Sequence, residues 1–515
     1  MKKGDGTMRN FSKLIFQRVV TVSLAILLQI IFVLAGMLWL HEYRRWLGIA
    51  MSVLSWVAVI TVMCSRSNPS YKIAWIVLIL AFPVAGLTIY LLFGGNRVSS
   101  HEARKMAGIE RITTGALSQN PAVLSHIRAR QDEAYNHTRY LFACAHYPAY
   151  ESSSAEYFSG GEACFAAMLR ELETAEHYIF LEFFIIGKGQ MWDQILAILH
   201  RKAAQGLDVR VLYDDFGCIT RLPMAYAKKL AALGIRAHAV NPYLPVLNGR
   251  MNNRDHRKLM IIDGKAAFTG GVNLADEYIN VTHPHGHWKD CAVLIRGEAV
   301  WSMTAMFLTF WGYVDRSAED IAVFRPASAA VPTDGLIQPF ADSPLDRENV
   351  GANIYQSLIR SARSYVWLMT PYLILDDEMV SALCIAAKIG VDVRIVTPGI
   401  PDKWYVHAVT RANYEALTEA GVRIFEYTPG FVHSKLALAD GKFALVGTVN
   451  LDFRSLYLHF EDGVYLCDCS AISEIRADFD ATFPKCEEIT YAACKRTRPL
   501  QRLLQTLLRL FAPLL

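Results

Sequence analysis

His256, Lys258, Asp263 and Asn273 recur as His433, Lys435, Asp440 and Asn450, and each histidine stands two, seven and seventeen residues before its partners. Gly270-Gly271 precedes the first asparagine and Gly447-Thr448 the second. A lysine ammonium and an amide are donors suited to the non-bridging oxygens of a phosphoryl group. One neutral imidazole can attack phosphorus while a protonated imidazole opposite donates to the leaving oxygen. The roles then swap: an incoming hydroxyl is deprotonated and attacks the phosphohistidine, so two inversions give retention at phosphorus. The lysines supply the charge that Mg²⁺ provides elsewhere, and the pattern calls for no metal and no cofactor. Neither copy has HExxH or carboxylate-rich spacing, and a lysine beside each histidine repels a cation.

The surrounding residues predict how these groups are held. His256 and Lys258 are two apart, so on a strand they leave the same face. The run LMII (259–262) reads as a buried strand, Asp263-Gly264 as a hairpin turn, and KAAFTGG (265–271) as the returning strand. Its terminal glycines let backbone approach a ligand closely. The second copy repeats this with KLALA (435–439), Asp440-Gly441 and KFALVGT (442–448). A pseudo-twofold pairing of the copies would bring both clusters to one cleft.

The repeat extends beyond the histidine motif. AEHYIFLEFFII (175–186) matches ARSYVWLMTPYL (362–373), AAQGLDVRVLYD (203–214) matches AAKIGVDVRIVT (386–397), and LAALGIRAHAVN (230–241) matches LTEAGVRIFEYT (417–428). The period is too long for a solenoid. The expected fold class is α/β: two duplicated subdomains with mixed sheets around one central cleft, preceded by N-terminal transmembrane helices.

Hydrophobic residues make up 53% of the 515, charged residues only 19%, and mean hydropathy is positive. That balance places part of the chain in lipid. A formal charge of +4 gives no nucleic-acid signal. The apolar runs Val19–Leu40, Trp46–Met63 and Ile73–Phe93 are long or nearly long enough to span a bilayer. Basic residues before the first run predict a cytoplasmic N-terminus. Ten cysteines without metal-ligand spacing read as reduced thiols, with Cys467 and Cys469 side by side on one strand face, and favour a cytoplasmic location for the rest.

The expected organisation is a multi-pass cell-membrane anchor with two or three transmembrane helices at 1–95, a connector at 96–150, a first half at 151–325, a second half at 326–497 and an amphipathic helix at 498–515. Residues 316–350 read as the joint between halves. The last helix, with Leu500, Leu503, Leu504, Leu507, Leu508 and Phe511 at helical spacing, suits either a membrane interface or the closing of a core.

At these motifs the sequence resembles the phospholipase D superfamily, whose signature HxKxxxxDxxxxxxG(G/S/T)xN both copies match. More narrowly, it is similar to bacterial cardiolipin synthases of that superfamily, through PVAGLTIYLLFGGNR (83–97), NNRDHRK (252–258), TPYLILDD (370–377), GFVHSK (430–435) and GTVNLDFRS (447–455). The resemblance implies transfer of a phosphatidyl group from one phosphatidylglycerol to another, releasing glycerol. It casts His256 as nucleophile and His433 as acid and base, although the symmetry of the motifs does not separate them. Lys258, Lys435, Asn273 and Asn450 would hold the phosphate. Asp263 and Asp440, grouped with the catalytic set by the signature, suit an indirect role better than attack. A downstream carboxylate often orients each histidine in the superfamily, and Asp290 and Glu461 are the candidates. Glu182 and Thr370-Pro371-Tyr372 suit either the cleft or a strand end. The partners implied are phosphatidylglycerol and membrane lipids, with neither nucleic acid nor metal, and a monomer suffices for one site. The alternative is a phospholipase D-type hydrolase, or a transferase using another acceptor or donor.

Overall fold

The computed structural model describes residues 27, 31, 44–65, 68–94, 100–242, 253–317, 319–326, 331–346 and 348–512. Among the described residues, eight strands lie in the first half: β1 (Ser153–Phe158), β2 (Tyr178–Phe183), β3 (Asp208–Asp214), β4 (Arg236–Val240), β5 (Lys258–Ile262), β6 (Ala266–Gly270), β7 (His287–Lys289) and β8 (Ala292–Gly297). Nine follow: β9 (Leu336–Asp342), β10 (Tyr365–Met369), β11 (Asp392–Pro398), β12 (Arg423–Tyr427), β13 (Gly430–Val432), β14 (Leu436–Ala439), β15 (Phe443–Gly447), β16 (Glu461–Cys467) and β17 (Cys486–Ile489).

One sheet runs β1-β8-β6-β5-β2-β3-β4, and the other, from its matching edge, runs β9-β16-β15-β14-β10-β11-β12-β17. Position by position these are the same topology, with β17 added. In both sheets three neighbours are parallel (β2, β3, β4; β10, β11, β12) and the hairpin side is antiparallel. Parallel neighbours need crossovers, supplied by helices such as Gln190–Ala204 and Asp377–Lys388. The duplicated mixed α/β fold expected from the repeat is present.

Both faces of each sheet are covered, which is why β2, β5, β14 and β16 are buried at every residue. The inner faces share one core: Phe180, Leu259 and Val293 from one sheet join Trp367, Leu436 and Val464 from the other. Helix Val300–Asp315 after β8 and helix Ala471–Thr482 after β16 enter this core with Phe307, Phe310, Ile475 and Phe479. Separate clusters fill the outer faces.

Three details differ from expectation. The stretch 316–350, read as a joint, contains edge strand β9, held by buried Leu336, Ile337 and Phe340. Cys467 and Cys469 do not share a face, because Asp468 takes a left-handed backbone (φ 51). One thiol therefore packs outside its sheet and the other in the shared core.

The third difference concerns the N-terminal runs. Apart from Leu27 and Ile31, the run Val19–Leu40 lies outside the described residues. Trp46–Met63 falls within helix Arg44–Cys64, but Ile73–Phe93 is broken into helices Pro69–Ala81 and Pro83–Phe93. The break sits at Phe82, whose φ of −133° and ψ of 76° are non-helical, as the residue before a proline prefers. Among the described residues no helix is long and apolar enough to cross a membrane. These helices pack on Val59, Val62, Trp75 and Ile79 and leave Val53, Trp56, Val57 and Ile60 exposed. The C-terminal helix Pro499–Phe511 packs against helix Trp404–Ala412 and Pro69–Ala81, while Leu500, Leu503, Leu504 and Leu507 stay exposed.

Candidate active site

Both histidines are placed by backbone that crosses between the halves. β13 pairs in parallel with β7, Val432 opposite Lys289, so the next residues, His433 and Asp290, emerge side by side. The other crossing is a parallel bridge between Asp255 and Phe460, which brings out His256 beside Glu461. The His433 amide donates to Lys289 O at 2.7 Å and the His256 amide to Phe460 O at 2.9 Å. One local device, used twice, builds the site on the seam.

The consequence is an exchange of carboxylates. His256 Nδ1 lies 2.9 Å from Glu461 Oε2, and His433 Nδ1 lies 2.8 Å from Asp290 Oδ2. Each histidine is oriented by the half that does not carry it. All four side chains are at least nine-tenths buried. Burial pushes His256 down to about 3 despite Glu461, and pushes His433 down to about 4 with help from Lys435. Burial alone would raise the two carboxyls, but the imidazoles beside them hold Glu461 and Asp290 below the usual range. The resting arrangement is therefore a neutral imidazole against an ionised carboxylate. A carboxylate only accepts, so Nδ1 of each ring carries the hydrogen and Nε2 keeps a lone pair.

Lys258 Nζ donates to His256 O at 2.6 Å, and Lys435 Nζ to His433 O at 2.5 Å. Both lysines are buried, which lowers Lys258 to about 8 and Lys435 to about 7. Asn273 Oδ1 accepts from the Ile185 amide at 2.9 Å, while its Nδ2 is buried with no hydrogen-bond partner. Asn450 leaves its Oδ1 unpartnered. Two buried ammonium groups and the unspent Asn273 Nδ2 donor suit an anion that must be dehydrated to enter, whereas the free Asn450 Oδ1 is an acceptor and suits a hydroxyl.

The pair before each asparagine differs for a steric reason. A Cβ on Gly271 would stand 1.9 Å from Asp290 Oδ1 and 2.9 Å from His433 O, so no side chain fits. In the second copy Thr448 Oγ1 donates to Glu461 Oε2 at 2.5 Å and accepts from the Asp462 amide at 2.9 Å. Its hydroxyl steadies the carboxylate that steadies His256.

Asp263 and Asp440 are not part of this cluster, contrary to their grouping with the catalytic residues. They sit in left-handed turns (φ 51 and 54) at the far ends of β5 and β14, about 16 Å along a strand from the lysines. Asp263 accepts from the amides of Glu176, His177 and Tyr178 at 2.7–2.8 Å. Asp440 does the same for Arg363, Ser364 and Tyr365 at 2.7–2.9 Å. Each clamps its hairpin to the start of the neighbouring strand.

The model of a family described as cardiolipin synthase, PLD-like domain, matches residues 168–302 and 355–483, just over half of the chain. The chain belongs to this family. A second family model, described as phospholipase D-nuclease N-terminal, matches residues 51–95. A protein of Alkalihalophilus pseudofirmus named cardiolipin synthase is 34% identical over 485 residues, covering 92% of this chain and 95% of its own. One of the same name from Geobacillus thermodenitrificans is 34% identical over 507 residues, with 96% and 99% covered. An uncharacterized protein of Streptococcus mutans is 40% identical over 461 residues, with 89% and 99% covered. Among solved structures, phosphatidylserine synthase from Haemophilus influenzae superposes with a TM-score of 0.52 at 14% identity, covering 70% of this chain and 93% of its own, a likeness of fold.

Some members of the site in this cardiolipin synthase-like chain escape a reading of the motif alone. His459 lies beside His256, with ring centroids 5.6 Å apart. It stands two residues before Glu461, a strand spacing that could have flagged it. Tyr278, Trp288 and Phe431 wall His433, with ring centroids 5.3–6.0 Å away, and Phe184 stands 5.1 Å from His256. Glu182, read as cleft or strand end, is fully buried in an ion pair with Arg257 at 2.7 Å. Thr370 Oγ1 accepts from the Leu451 amide at 3.1 Å and donates to Tyr372 O, which makes that tripeptide a fastening beside Asn450.

Proposed function

We propose that this chain transfers the phosphatidyl group of one phosphatidylglycerol to a hydroxyl of a second, forming cardiolipin and releasing glycerol through a covalent phosphohistidine. The observation that carries the reading is the crossed pair His256–Glu461 and His433–Asp290, which sets two imidazoles with Nε2 lone pairs at one seam. His256 Nε2 attacks phosphorus, and the bond to the glycerol oxygen breaks as that oxygen takes a proton from His433. The headgroup hydroxyl of the second lipid then gives its proton to His433 as its oxygen attacks the same phosphorus. The phosphorus–nitrogen bond breaks and His256 is restored. Lys258, Lys435, Asn273 and Asn450 hold the non-bridging oxygens. Both imidazoles are neutral at rest, so His433 first takes up one proton from water on Nε2, favoured by the bound phosphodiester anion. It delivers this proton to the glycerol oxygen, and the proton of the second lipid's hydroxyl replaces it.

Residues 1–95 serve as the membrane anchor, with 96–150 as connector and the halves at 151–325 and 326–497 on the cytoplasmic side. Exposed Val53, Trp56, Val57 and Ile60, and the leucines of Pro499–Phe511, are the surfaces that meet lipid. One chain holds both motifs, so a monomer completes a site.

The test supplies phosphatidylglycerol alone to the purified protein in vesicles and measures both products. Cardiolipin and glycerol in equal amounts are expected. Phosphatidic acid with glycerol would mean that water, not a lipid hydroxyl, reaches the phosphohistidine.

A further inference from the structure

His459 is a side chain that the transfer chemistry leaves unused. It is nine-tenths buried, yet neither ring nitrogen makes a hydrogen bond. A buried polar atom without a partner is costly, and here Nε2 has none while Nδ1 has only a long contact with a carboxylate, which leaves room for a ligand. Its Nδ1 faces Glu461 Oε1 at 3.5 Å, on the carboxylate whose other oxygen lies 2.9 Å from His256 Nδ1. One donor atom from each of the three residues can be chosen so that all lie within 4.8 Å of one another.

We propose that His256, His459 and Glu461 form an inhibitory site for a divalent transition ion, zinc by ligand type. Two imidazoles and a carboxylate are a common zinc set, with a fourth position left for water. Tetrahedral zinc with donors at about 2.1 Å spaces them about 3.4 Å apart. Measured to the same oxygen, Glu461 Oε1, the separations are 3.0 Å from His256 Nδ1 and 3.5 Å from His459 Nδ1, and the remaining edge lies within 4.8 Å, so the ion enters with a small closing of the two rings.

The inhibition follows from tautomers and rests on the proposed transfer reaction. With Glu461 as acceptor, His256 keeps its hydrogen on Nδ1 and its lone pair on Nε2. An ion on Nδ1 takes the lone pair there, and the single ring hydrogen moves to Nε2. No proton is gained or lost, but Nε2 can no longer attack phosphorus. Against repulsion from the Lys258 ammonium, which lies 2.6 Å from the His256 carbonyl, the site offers the negative charge of Glu461 as a direct ligand.

The test counts zinc first and turnover second. The full chain, freed of metal with a chelator and kept in detergent, is dialysed against zinc chloride, and bound zinc per chain is measured by mass spectrometry. His459→Gln and His459→Asn are treated alike, and comparison with them cancels zinc held by thiols elsewhere. The wild type should hold one ion more than either variant. Zinc should also inhibit the wild type at least tenfold more strongly than the variants, each scored against its own zinc-free rate. Equal zinc content in the wild type and both folded variants would overturn the site. The zinc count needs no lipid, so its failure is distinct from failure of the transfer reaction.

Discussion

Glu461 lies 2.9 Å from His256 Nδ1, although 205 residues of chain and the boundary between two sheets separate them. With Asp290 returning the contact to His433, neither half can orient its own histidine. Removing one carboxylate therefore disables a ring on the opposite half. Glu461→Gln and Asp290→Asn should each lower turnover by about 10²- to 10⁴-fold, because an amide no longer fixes the tautomer. The measurement is the rate of cardiolipin formation, with folding checked by circular dichroism. Near-normal rates would mean that the imidazoles need no such partner.

Gly271 and Thr448 occupy matching places and should fail differently. Gly271→Ala forces a methyl to within 1.9 Å of Asp290 Oδ1, and turnover should fall by at least about 10²-fold. Thr448→Gly removes one hydrogen bond to Glu461 and should cost about tenfold. Assaying both variants at equal folded concentration decides the order.

Asp263 and Asp440 should matter for stability rather than for chemistry. Each carboxylate accepts three backbone amides. Asp263→Ala should cost roughly 2–4 kcal/mol of stability, read as a lower midpoint of denaturation, while the turnover of folded molecules stays within a few-fold. A collapse of turnover without loss of stability would return these residues to the chemical step.

The pH profile follows from the lysines. An amine is charged below its pKa, and burial lowers Lys435 to about 7 and Lys258 to about 8. The charge that binds the phosphodiester is thus lost as pH rises through this window. kcat/KM should fall between about pH 7 and pH 8, far below the ordinary lysine range. His256, down to about 3, stays neutral through neutral pH and adds no acid limb near 6, while the proton that His433, down to about 4, must take up adds to the fall with rising pH. A profile flat to pH 9 would contradict the lysine assignment.

Much of this was legible in the sequence, for local reasons. The alternation of His256 and Lys258, the buried LMII run and the Asp263-Gly264 turn are set by neighbours in the chain, and β5 and β6 follow. Duplication let each half vouch for the other. The exchange of carboxylates was not legible, because it depends on β13 lying beside β7 and Asp255 beside Phe460, pairings between segments far apart in the chain. The place of Asp263 was hidden likewise, since the signature joins it to the histidine by spacing while the strand carries it to the opposite end. Pro83 was visible, but spacing alone did not show that Phe82 would break the run into two helices.

The account stands on one phosphorus being shared by both halves, and a crystal structure with vanadate tests that most directly. Vanadium should be bound axially by Nε2 of one imidazole, with the opposite axial oxygen within hydrogen-bond reach of the other and both lysines on the equatorial oxygens. Vanadate held by residues of one half alone, with the second histidine out of reach, would contradict it.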